Sequence, residues 1–335
     1  MTSTEGPSLR GPQGETAISV DPAVARIVDA GGPQVPALLG RVEALLADVA
    51  ASYGDVLAGH AGSTIAAGGK RLRPLLVLLA AGPDAPEDAA IRAAASVELI
   101  HSASLVHDDV LDAASLRRGH PTVWATAGRD MAIATGDMLF SRAFAVLAEN
   151  GSADQVRALS RASSALSQGE LVQRSDAWDA SVSVERYLHR CELKTARLFE
   201  AACELGALVA GGPSLAAFGR RIGLAFQLLD DVLDVSGPAE RIGKHRGTDL
   251  LDGTITLPFI LARERSDALA ALDPRTIDTP ERAEEVCDAI AATCALDEAR
   301  GQALAIVASA KADLPELPQR RALELVADGV VERYS

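Results

Sequence analysis

Aromatic residues are scarce in this sequence: six Phe, three Tyr and two Trp make up 3% of its 335 residues. Any sizeable core must therefore be built from Leu, Ala, Val and Ile. Ala and Leu are strong helix formers, and runs of β-branched residues are few, so the composition predicts an all-α protein. With 48% hydrophobic and 23% charged residues, the chain is typical of a soluble globular protein.

The chain also lacks an excess of positive charge, because its formal net charge is −14 and its pI is near 4.9. Nucleic acid is thereby disfavoured as a partner, since binding to its phosphate backbone requires a basic surface. Binding of small anionic ligands is not excluded, because it depends on local clusters of cations and not on the net charge. Such clusters occur at Lys70-Arg71, with Arg73 close by, at Arg117-Arg118 and at residues 244–246.

Cysteine is rare, and its pattern gives no support to a zinc site or a disulfide. The four cysteines form no CxxC pair, so we expect buried, reduced thiols; they are Cys191, Cys203, Cys287 and Cys294. The first twenty residues hold no apolar signal core, and no stretch approaches eighteen uncharged apolar residues. We therefore expect a cytoplasmic protein. GxSxG, P-loop and Rossmann glycine patterns are also missing, which disfavours nucleophilic hydrolase, kinase and dehydrogenase chemistry.

The distribution of apolar residues predicts a tail at 1–20, without regular structure, followed by a single all-α domain at 21–335. An irregular, Gly- and Arg-containing stretch is expected at 112–122 and a Gly-rich loop at 236–253. Helices are predicted at about 35–49, 55–67, 75–81, 87–111, 130–149, 153–175, 183–210, 214–235, 254–272, 280–294, 296–313 and 317–332.

One acidic motif, Asp108-Asp109-Val110-Leu111-Asp112, returns later in the chain as Asp230-Asp231-Val232-Leu233-Asp234. On a helix the first and last acids of each copy lie one turn apart, where their charges repel unless a cation lies between them. Mg²⁺ prefers such oxygen ligands, together with waters and phosphates. The middle acids, Asp109 and Asp231, suit supporting roles. The alternative is a solvated acidic helix end, which two copies in apolar sequence make less attractive. An EF-hand loop is not present.

The basic clusters lie close to these acids in sequence. Arg117 and Arg118 follow the first motif within six residues, and Lys244 follows the second within ten. Lys70 and Arg73 lie beside flexible glycines at the start of an apolar helix. Each cluster alone is commonly a solvated surface. Together with the acids, they favour a cavity that binds a metal–diphosphate ligand.

Polar residues inside apolar helical sequence point to the same cavity. His101 lies two helical turns before Asp108, although a lone His there could be a satisfied core residue. Lys194 and Thr195 interrupt an Ala-rich helix, and a Lys facing a core needs an anionic partner. Gln227 lies one turn before Asp230.

These motifs, in this order, resemble the trans-isoprenyl diphosphate synthase (polyprenyl synthetase) family. The segments that carry the resemblance are Gly68 to Pro74, both DDxxD motifs with Arg117-Arg118-Gly119, Lys194-Thr195-Ala196, and Gly243-Lys244 through Thr256-Leu257-Pro258. The resemblance implies an all-α, isoprenoid-synthase-type helical bundle around a deep central cavity, usually as a homodimer. It also implies head-to-tail condensation of isopentenyl diphosphate onto a geranyl, farnesyl or geranylgeranyl diphosphate primer, with transient membrane association for product release.

The resemblance assigns roles to individual residues. A Mg²⁺ cluster would be held by Asp108, Asp112 and Asp230, supported by Asp109, Asp231 and Asp234. The allylic diphosphate would be clamped by Arg117, Lys194 and Lys244. Isopentenyl diphosphate would be held by Lys70, Arg71, Arg73, His101 and Arg118. Dipoles such as Thr195 and Gln227 would stabilise the allylic cation beside Lys194, and the departed diphosphate would act as the base.

One departure from the family is visible. Many members carry a Lys just before Thr-Leu-Pro, where this chain has Gly253-Thr254-Ile255-Thr256. One phosphate contact is then missing or supplied by another residue, for which Arg246 is the candidate.

Product length can be argued from steric reach. Ser104 and Ala103 lie four and five residues before Asp108, where short-chain members place aromatics as a floor. Because both are small, we expect a medium- or long-chain product. Deeper residues are expected to stop the chain; these are Ile100, Phe140 and Phe144.

Two other functions compete with chain elongation. A class I terpene cyclase shares the fold and the first acidic motif, but it typically has an Asn/Ser/Glu metal motif in place of the second and needs no second diphosphate site. A helical partner subunit of a heteromeric synthase tends to lose acids, whereas both motifs are intact here.

Overall fold

The computed structural model describes residues 21–52, 59–62, 64–65, 70–237 and 246–332. Within these ranges the regular secondary structure is helical apart from one two-stranded hairpin, β1 (Leu116–Arg117) paired antiparallel with β2 (His120–Pro121). Residues 59–62 and 64–65, which fall in the helix expected at 55–67, are helical too. The helices are α1 (Pro22–Gly31), α2 (Val35–Ala51), α3 (Leu72–Ala81), α4 (Glu87–Leu111), α5 (Val123–Ala127), α6 (Arg129–Ala148), α7 (Ala153–Ser175), α8 (Val184–Cys191), α9 (Arg197–Ala210), α10 (Ala216–Ser236), α11 (Thr248–Leu251), α12 (Leu257–Arg263), α13 (Asp267–Ala270), α14 (Pro280–Ala291), α15 (Ala295–Ala312) and α16 (Arg320–Glu332). The all-α prediction is confirmed.

Helix α4 is the central element of the bundle. It packs most extensively against α6 and also contacts α2, α3 and α9. Glu87 and Asp88 place negative charge at its N-terminus, where the helix dipole favours it. The helix ends at Asp112, whose backbone N–H donates to the carbonyl of Asp108 over 2.8 Å. The first acidic motif therefore occupies the C-terminal end of a buried helix.

Helix α10 carries the second acidic motif in the same position, at its C-terminal end. It packs against α9 and α15. Close approach to α9 is possible because Gly219 has no side chain: a Cβ there would lie 2.4 Å from the carbonyl oxygen of Phe199. The two motif-bearing helices are thus both fixed by apolar packing against α9.

Several boundaries differ from the sequence-based expectations. Helix α1 was not predicted; it begins at Pro22, and Asp21 caps it by accepting the Ala23 N–H over 2.8 Å. The helix expected at 183–210 is interrupted by a π-helical turn at Glu192–Ala196. The helix expected at 254–272 is two short helices, α12 and α13. The tail at 1–20, most of the helix expected at 55–67, and Lys244 lie outside the described residues.

The cysteine prediction is confirmed in part: all four thiols are free, and Cys191, Cys203 and Cys287 are buried, but Cys294 is exposed. Helices α4 and α6 are long and apolar enough to cross a membrane by length and composition, with mean hydropathies of 1.2 and 1.4 over 18-residue windows. The window in α4 is 72% buried, as in a core helix, whereas that in α6 is only 39% buried. Both windows contain charged residues, so neither is one of the uncharged apolar runs that the sequence lacks.

Candidate active site

Three adjoining cavities lie in the helical bundle. The first two lie between α4, α7, the π-helical turn and α10, and the third lies between α1, α3, α4 and α16. We call the first the acidic cavity, of about 270 Å³; it is lined by Asp108, Asp112, Arg117, Arg174, Arg190, Lys194, Asp230, Asp231, Asp249, Asp252 and Thr254, with five further residues. Both acidic motifs thus contribute to one cavity. The sequence predicted this convergence, and the basic residues Arg117 and Lys194 lie there with the acids.

The second, which we call the apolar cavity, has a volume of about 550 Å³ and shares Asp108, Lys194, Gln227 and Asp230 with the acidic cavity. Leucines and phenylalanines supply much of its wall; they are Leu105, Leu111, Leu166, Leu171, Leu198, Phe140 and Phe226. Its volume lies within the range of about 300–1,000 Å³ that is usual for ligand pockets.

The third, which we call the basic cavity, has a volume of about 280 Å³ and shares Arg73, His101 and Phe226 with the apolar cavity. Its cations are Lys70, Arg71, Arg73 and Arg118. The apolar cavity therefore adjoins the acidic cavity on one side and the basic cavity on the other.

The supporting acid of the first motif is held by a cation. Arg117 donates from Nε to Oδ1 of Asp109 over 2.7 Å, and Asp109 is buried. Arg117 can reach back because the hairpin turns at Arg118 and Gly119, both with left-handed backbone (φ 53° and 79°). Asp112 pairs with Arg174 of α7 over 2.5 Å.

The supporting acid of the second motif, Asp231, is also buried and is held by two donors. The Tyr187 hydroxyl donates to its Oδ2 and Gln227 Nε2 donates to its Oδ1, each over 2.7 Å. Thr195 in turn donates to Oε1 of Gln227 over 2.7 Å. This chain of hydrogen bonds links the π-helical turn to the second motif and fixes the orientation of the Gln227 amide.

The π-helical turn brings two consecutive side chains, Lys194 and Thr195, into the apolar cavity. Such turns are frequent at functional sites. Lys194 donates to Glu170 over 2.6 Å and to Gln173 over 3.1 Å. Glu170 reaches it because α7 approaches closely at Gly169, where a Cβ would lie 2.6 Å from the Lys194 backbone nitrogen. The predicted anionic partner of Lys194 therefore exists, on a helix that the sequence analysis had not connected with the site.

Acids that were not predicted also line the acidic cavity, among them Asp249 and Asp252 near the short helix α11. The backbone N–H of Asp249 donates to Oδ2 of Asp234 over 3.3 Å. The signal that could have identified Asp249 and Asp252 is their spacing of three residues, shortly after the basic cluster at 244–246. Glu170, Gln173 and Arg174 were missed similarly, and their i, i+3, i+4 spacing is the matching helical signal.

Crowding of carboxylates away from water changes their protonation. Burial raises the pKa of Asp108 to about 6, with Lys194 acting in the opposite direction. Burial also raises the pKa of Asp231 to about 6 and, with repulsion from Asp231 and Asp230, that of Asp234 to about 7. The pKa of Asp249 is raised well above its ordinary range by burial and by Asp234. A bound cation would relieve this repulsion.

The donor set fits Mg²⁺ held together with a diphosphate. Among the described residues, no three His, Cys, Asp or Glu side chains converge as a preformed metal cage. Carboxylates on two helices instead line one cavity. Mg²⁺ commonly uses one or two carboxylates and completes its octahedron with waters and substrate phosphates, so this arrangement suits it.

Of the five residues expected to control product length, Ser104 and Phe140 line the apolar cavity. Ala103 and Ile100 are fully buried in core packing and Phe144 packs against the core; none of the three lines this cavity. The reason is helix phase, because Ala103 lies about 140° round the helix from Asp108, whereas Ser104 lies about 40° from it.

A residue that was not considered, His107, lines the apolar cavity instead. Its ring stacks on Phe140 with the centroids 5.7 Å apart, and it lies over Gly136, where a Cβ would be 2.2 Å from Nε2. His107 of α4 and Phe140 of α6 thus form one continuous part of the cavity wall.

The cations of the basic cavity differ in how far they are already engaged by partners within the protein. Arg73 lies 4.5 Å over the Phe199 ring, its Nε has no hydrogen-bond partner among the described residues, and burial lowers its pKa to about 10. Burial and the neighbouring arginines hold the pKa of His101 well below its ordinary range. Lys70 pairs with Asp21 over 2.6 Å.

Arg71 is engaged in the fold itself. Its Nε and Nη2 donate to Glu43, its Nη1 donates to Glu98, and Nη2 also donates to the carbonyl of Ile65. All three of its nitrogens are therefore in use, and its contribution to substrate binding stays a prediction, as does that of Arg118, which lines the cavity.

Known proteins match both the sequence and the fold. The polyprenyl synthetase family model matches residues 55–293. The chain is 41% identical over 271 residues to heptaprenyl diphosphate synthase component 2 of Geobacillus stearothermophilus, covering 78% of this chain and 84% of that protein. It is 36% identical over 232 residues to octaprenyl diphosphate synthase of Escherichia coli strain K12, covering 68% of each chain.

Among solved structures, the polyprenyl synthase of Caulobacter crescentus CB15, complexed with calcium and isoprenyl diphosphate, superposes with a TM-score of 0.85 at 36% identity. The match covers 92% of this chain and 98% of that one. Since the family model spans most of the chain and the relatives share its full helical architecture, this protein belongs to the polyprenyl synthetase family and is a prenyltransferase.

Proposed function

We propose that this enzyme condenses isopentenyl diphosphate head to tail with an allylic diphosphate, and releases a medium- or long-chain all-trans polyprenyl diphosphate. The observation that carries the proposal is the order of the cavities. An apolar cavity of about 550 Å³ lies between an acidic cavity with both DDxxD motifs and a basic cavity. Two diphosphates and one growing hydrocarbon chain need this arrangement.

The allylic diphosphate would bind in the acidic cavity, with Mg²⁺ held by Asp108, Asp112 and Asp230. Mg²⁺ supplies Lewis-acid neutralisation of the leaving diphosphate. Lys194 and Arg117 add positive charge at the same place. Asp109 and Asp231 are already bonded to protein donors, so they orient the motifs.

Isopentenyl diphosphate would bind in the basic cavity. Arg73 presents an unpartnered, buried donor there, which a phosphate oxygen would satisfy. His101 lies beside it, and its lowered pKa keeps the imidazole neutral, so that it can donate a hydrogen bond without adding charge. Both residues also line the apolar cavity, so a substrate held by them would have its nucleophilic double bond next to the allylic carbon.

The allylic cation would form where the acidic and apolar cavities meet, at Thr195 and Gln227. The hydroxyl hydrogen of Thr195 is committed to Gln227, so the lone pairs of its oxygen are free to face the cation. Leucine and phenylalanine side chains exclude water there and so protect the cation from hydrolysis.

The test is incubation with labelled isopentenyl diphosphate, Mg²⁺ and geranyl, farnesyl or geranylgeranyl diphosphate, followed by chain-length analysis of the products. We expect incorporation of several isoprene units. Failure to incorporate label with any primer would contradict the proposal, and a cyclic hydrocarbon from the primer alone would indicate the terpene cyclase alternative.

A second candidate is a catalytic component that requires a partner protein. It is favoured by one observation, that a relative at 41% identity is named as component 2 of a heptaprenyl diphosphate synthase. If the purified chain binds pyrophosphate with Mg²⁺ but elongates no primer, addition of a soluble extract from the source cells should restore elongation. Full activity of the pure chain would eliminate this candidate.

A homodimer is the assembly we propose. Helix α6 leaves much of its apolar window outside the core, and Ile133 on this helix is 37% exposed. A second copy would cover this surface. Light scattering should give twice the mass of the 34.7 kDa chain; a monomeric mass at micromolar concentration would contradict it. Cytoplasmic location and transient membrane contact stay predictions.

A further inference from the structure

A buried arginine outside the predicted set, Arg190, forms part of the wall of the acidic cavity. It is 3% exposed and lies at the end of α8, with its guanidinium 5.3 Å from the centre of the Tyr187 ring. Its Nη2 donates to the carbonyl of Ile255 over 2.6 Å. Its Nη1 is buried and has no hydrogen-bond partner among the described residues.

An unpartnered charged donor is costly in a protein interior, because it has lost water and gained nothing in exchange. Native structures rarely keep such a group unless water, an ion or a ligand satisfies it. The acids that line the same cavity do not bond to Nη1. A ligand with anionic oxygens, entering the cavity, would give this donor its partner.

Arg190 binds the backbone of the segment in which this chain departs from the family pattern. It is the segment Gly253 to Thr256, in which the family resemblance leads us to expect a Lys, and its residue Thr254 lines the same cavity as Arg190. The segment is fixed on both sides, since the Trp178 N–H donates to the Gly253 carbonyl over 2.8 Å and Arg190 holds Ile255. A segment that lacks the expected Lys is therefore bound by a cation from α8.

We propose that Arg190 binds an oxygen of the allylic diphosphate and supplies the phosphate contact that this chain lacks in the segment Gly253 to Thr256. The inference rests on the proposed function, because it assumes that the acidic cavity holds the diphosphate. Nη2 anchors the guanidinium to the backbone, while Nη1 is left for the ligand. A pre-oriented guanidinium of this kind loses little conformational entropy on binding.

The other candidate, Arg246, is placed elsewhere. Its Nε donates to the carbonyl of Val235 over 2.9 Å, and its Nη1 pairs with Asp288 over 3.0 Å. It is not among the residues that line the acidic cavity. Arg246 is therefore not placed to supply the contact within this cavity.

The first experiment measures the binding of inorganic pyrophosphate with Mg²⁺ by calorimetry, which requires no turnover. Arg190→Gln should weaken binding about ten- to hundredfold, the range for loss of a charge-assisted hydrogen bond. Thr254→Lys introduced into this variant should restore most of the affinity. In steady-state kinetics, R190Q should raise the KM for the allylic primer far more than the KM for isopentenyl diphosphate.

The matched control is Arg263→Gln. Arg263 also lies over an aromatic ring, 5.5 Å from the centre of Phe259, and donates to backbone carbonyls, but it lines none of the three cavities. R263Q should lower the melting temperature without changing pyrophosphate affinity. Arg190→Lys is a second variant for the site; it keeps the charge but loses the second donor, so about tenfold weaker binding is expected.

Unchanged pyrophosphate affinity in folded R190Q or R190K would overturn the proposal. So would a loss of affinity that T254K does not restore, accompanied by the same drop in melting temperature as in R263Q, because Arg190 would then be structural only. The proposed function is judged separately, by whether the wild-type enzyme elongates a primer.

Discussion

Gln227 is fixed from both ends of its amide: Thr195 donates to Oε1 and Nε2 donates to Asp231, each over 2.7 Å. The second acidic motif is thereby coupled to Thr195, which we propose faces the allylic cation. Any change at Thr195 is transmitted to the orientation of Gln227, and hence to Asp231.

This coupling predicts that Thr195→Val lowers kcat about tenfold or more while changing the KM values little, because it removes about one hydrogen bond and one cation-stabilising dipole. Steady-state kinetics with a fixed primer measure both parameters. Thr135→Val is the control, since Thr135 is also a buried helical threonine but bonds only to the Met131 carbonyl and lines none of the cavities. A larger effect of T135V than of T195V would contradict the coupling.

The metal-binding prediction concerns the outer acids. Asp108→Asn and Asp230→Asn should each lower kcat about 10²–10³-fold, because each loses electrostatic stabilisation of the leaving diphosphate. Titration of activity with Mg²⁺ should also show a higher half-saturating concentration. Asp154→Asn, an exposed acid paired only with Arg157, is the control. Wild-type Mg²⁺ dependence in both site variants would show that the acids are not metal ligands.

Product length should respond to Ser104 and not to Ala103. Ser104→Phe places an aromatic ring in the apolar cavity and should shorten the main product by one or more isoprene units. Ala103 is fully buried in the core, so Ala103→Tyr is expected to overpack it and destabilise the protein by about 1–3 kcal/mol. Chain-length analysis and thermal melting separate the two effects. An unchanged product from S104F would contradict this view of the wall.

Stability should depend on pH in a ligand-sensitive way. Burial raises the pKa of Asp108 to about 6 and that of Asp234 to about 7, from the ordinary 3.8. At a pH between the unfolded-state pKa and the raised folded-state pKa, the folded protein keeps protons that the unfolded chain has released. The free energy of unfolding therefore falls as the pH rises from about 4 to about 7. The ligand-free protein should therefore melt at a higher temperature at about pH 5.5 than at about pH 8.

Mg²⁺ with pyrophosphate should reverse this trend, because only ionised acids can bind the metal. The rise in melting temperature on adding both should be larger at about pH 8 than at about pH 5.5. Asp234→Asn should flatten the ligand-free profile between these two values. A rise of equal size at both pH values would mean that these acids do not titrate on binding.

Much of the bundle could be predicted from the sequence, because long amphipathic helices carry a clear periodicity. The expected range 87–111 matches α4, and 153–175 matches α7. The convergence of Asp108 and Asp230 on one cavity was also predicted. There the signal was chemical, since two identical acidic motifs in apolar sequence require a common cation.

What could not be predicted depends on helix phase and on contacts between distant segments. Ala103 and Ser104 are neighbours in sequence, yet only Ser104 faces the apolar cavity. Arg190 could not be identified from the sequence, because its guanidinium is positioned by a hydrogen bond to the carbonyl of Ile255, 65 residues away. Glu170 becomes a partner of Lys194 only because Gly169 lets α7 approach. No local pattern encodes such relationships.

The π-helical turn at Glu192–Ala196 makes the site depend on a single extra residue. Deleting one residue from this turn would give a regular helix with better backbone hydrogen bonds, and in isolation a more stable one. The deletion would also rotate either Lys194 or Thr195 away from the cavity. Attempts to raise the thermal stability of this enzyme by regularising its helices should therefore spare this turn, because the irregular backbone keeps both Lys194 and Thr195 at the apolar cavity.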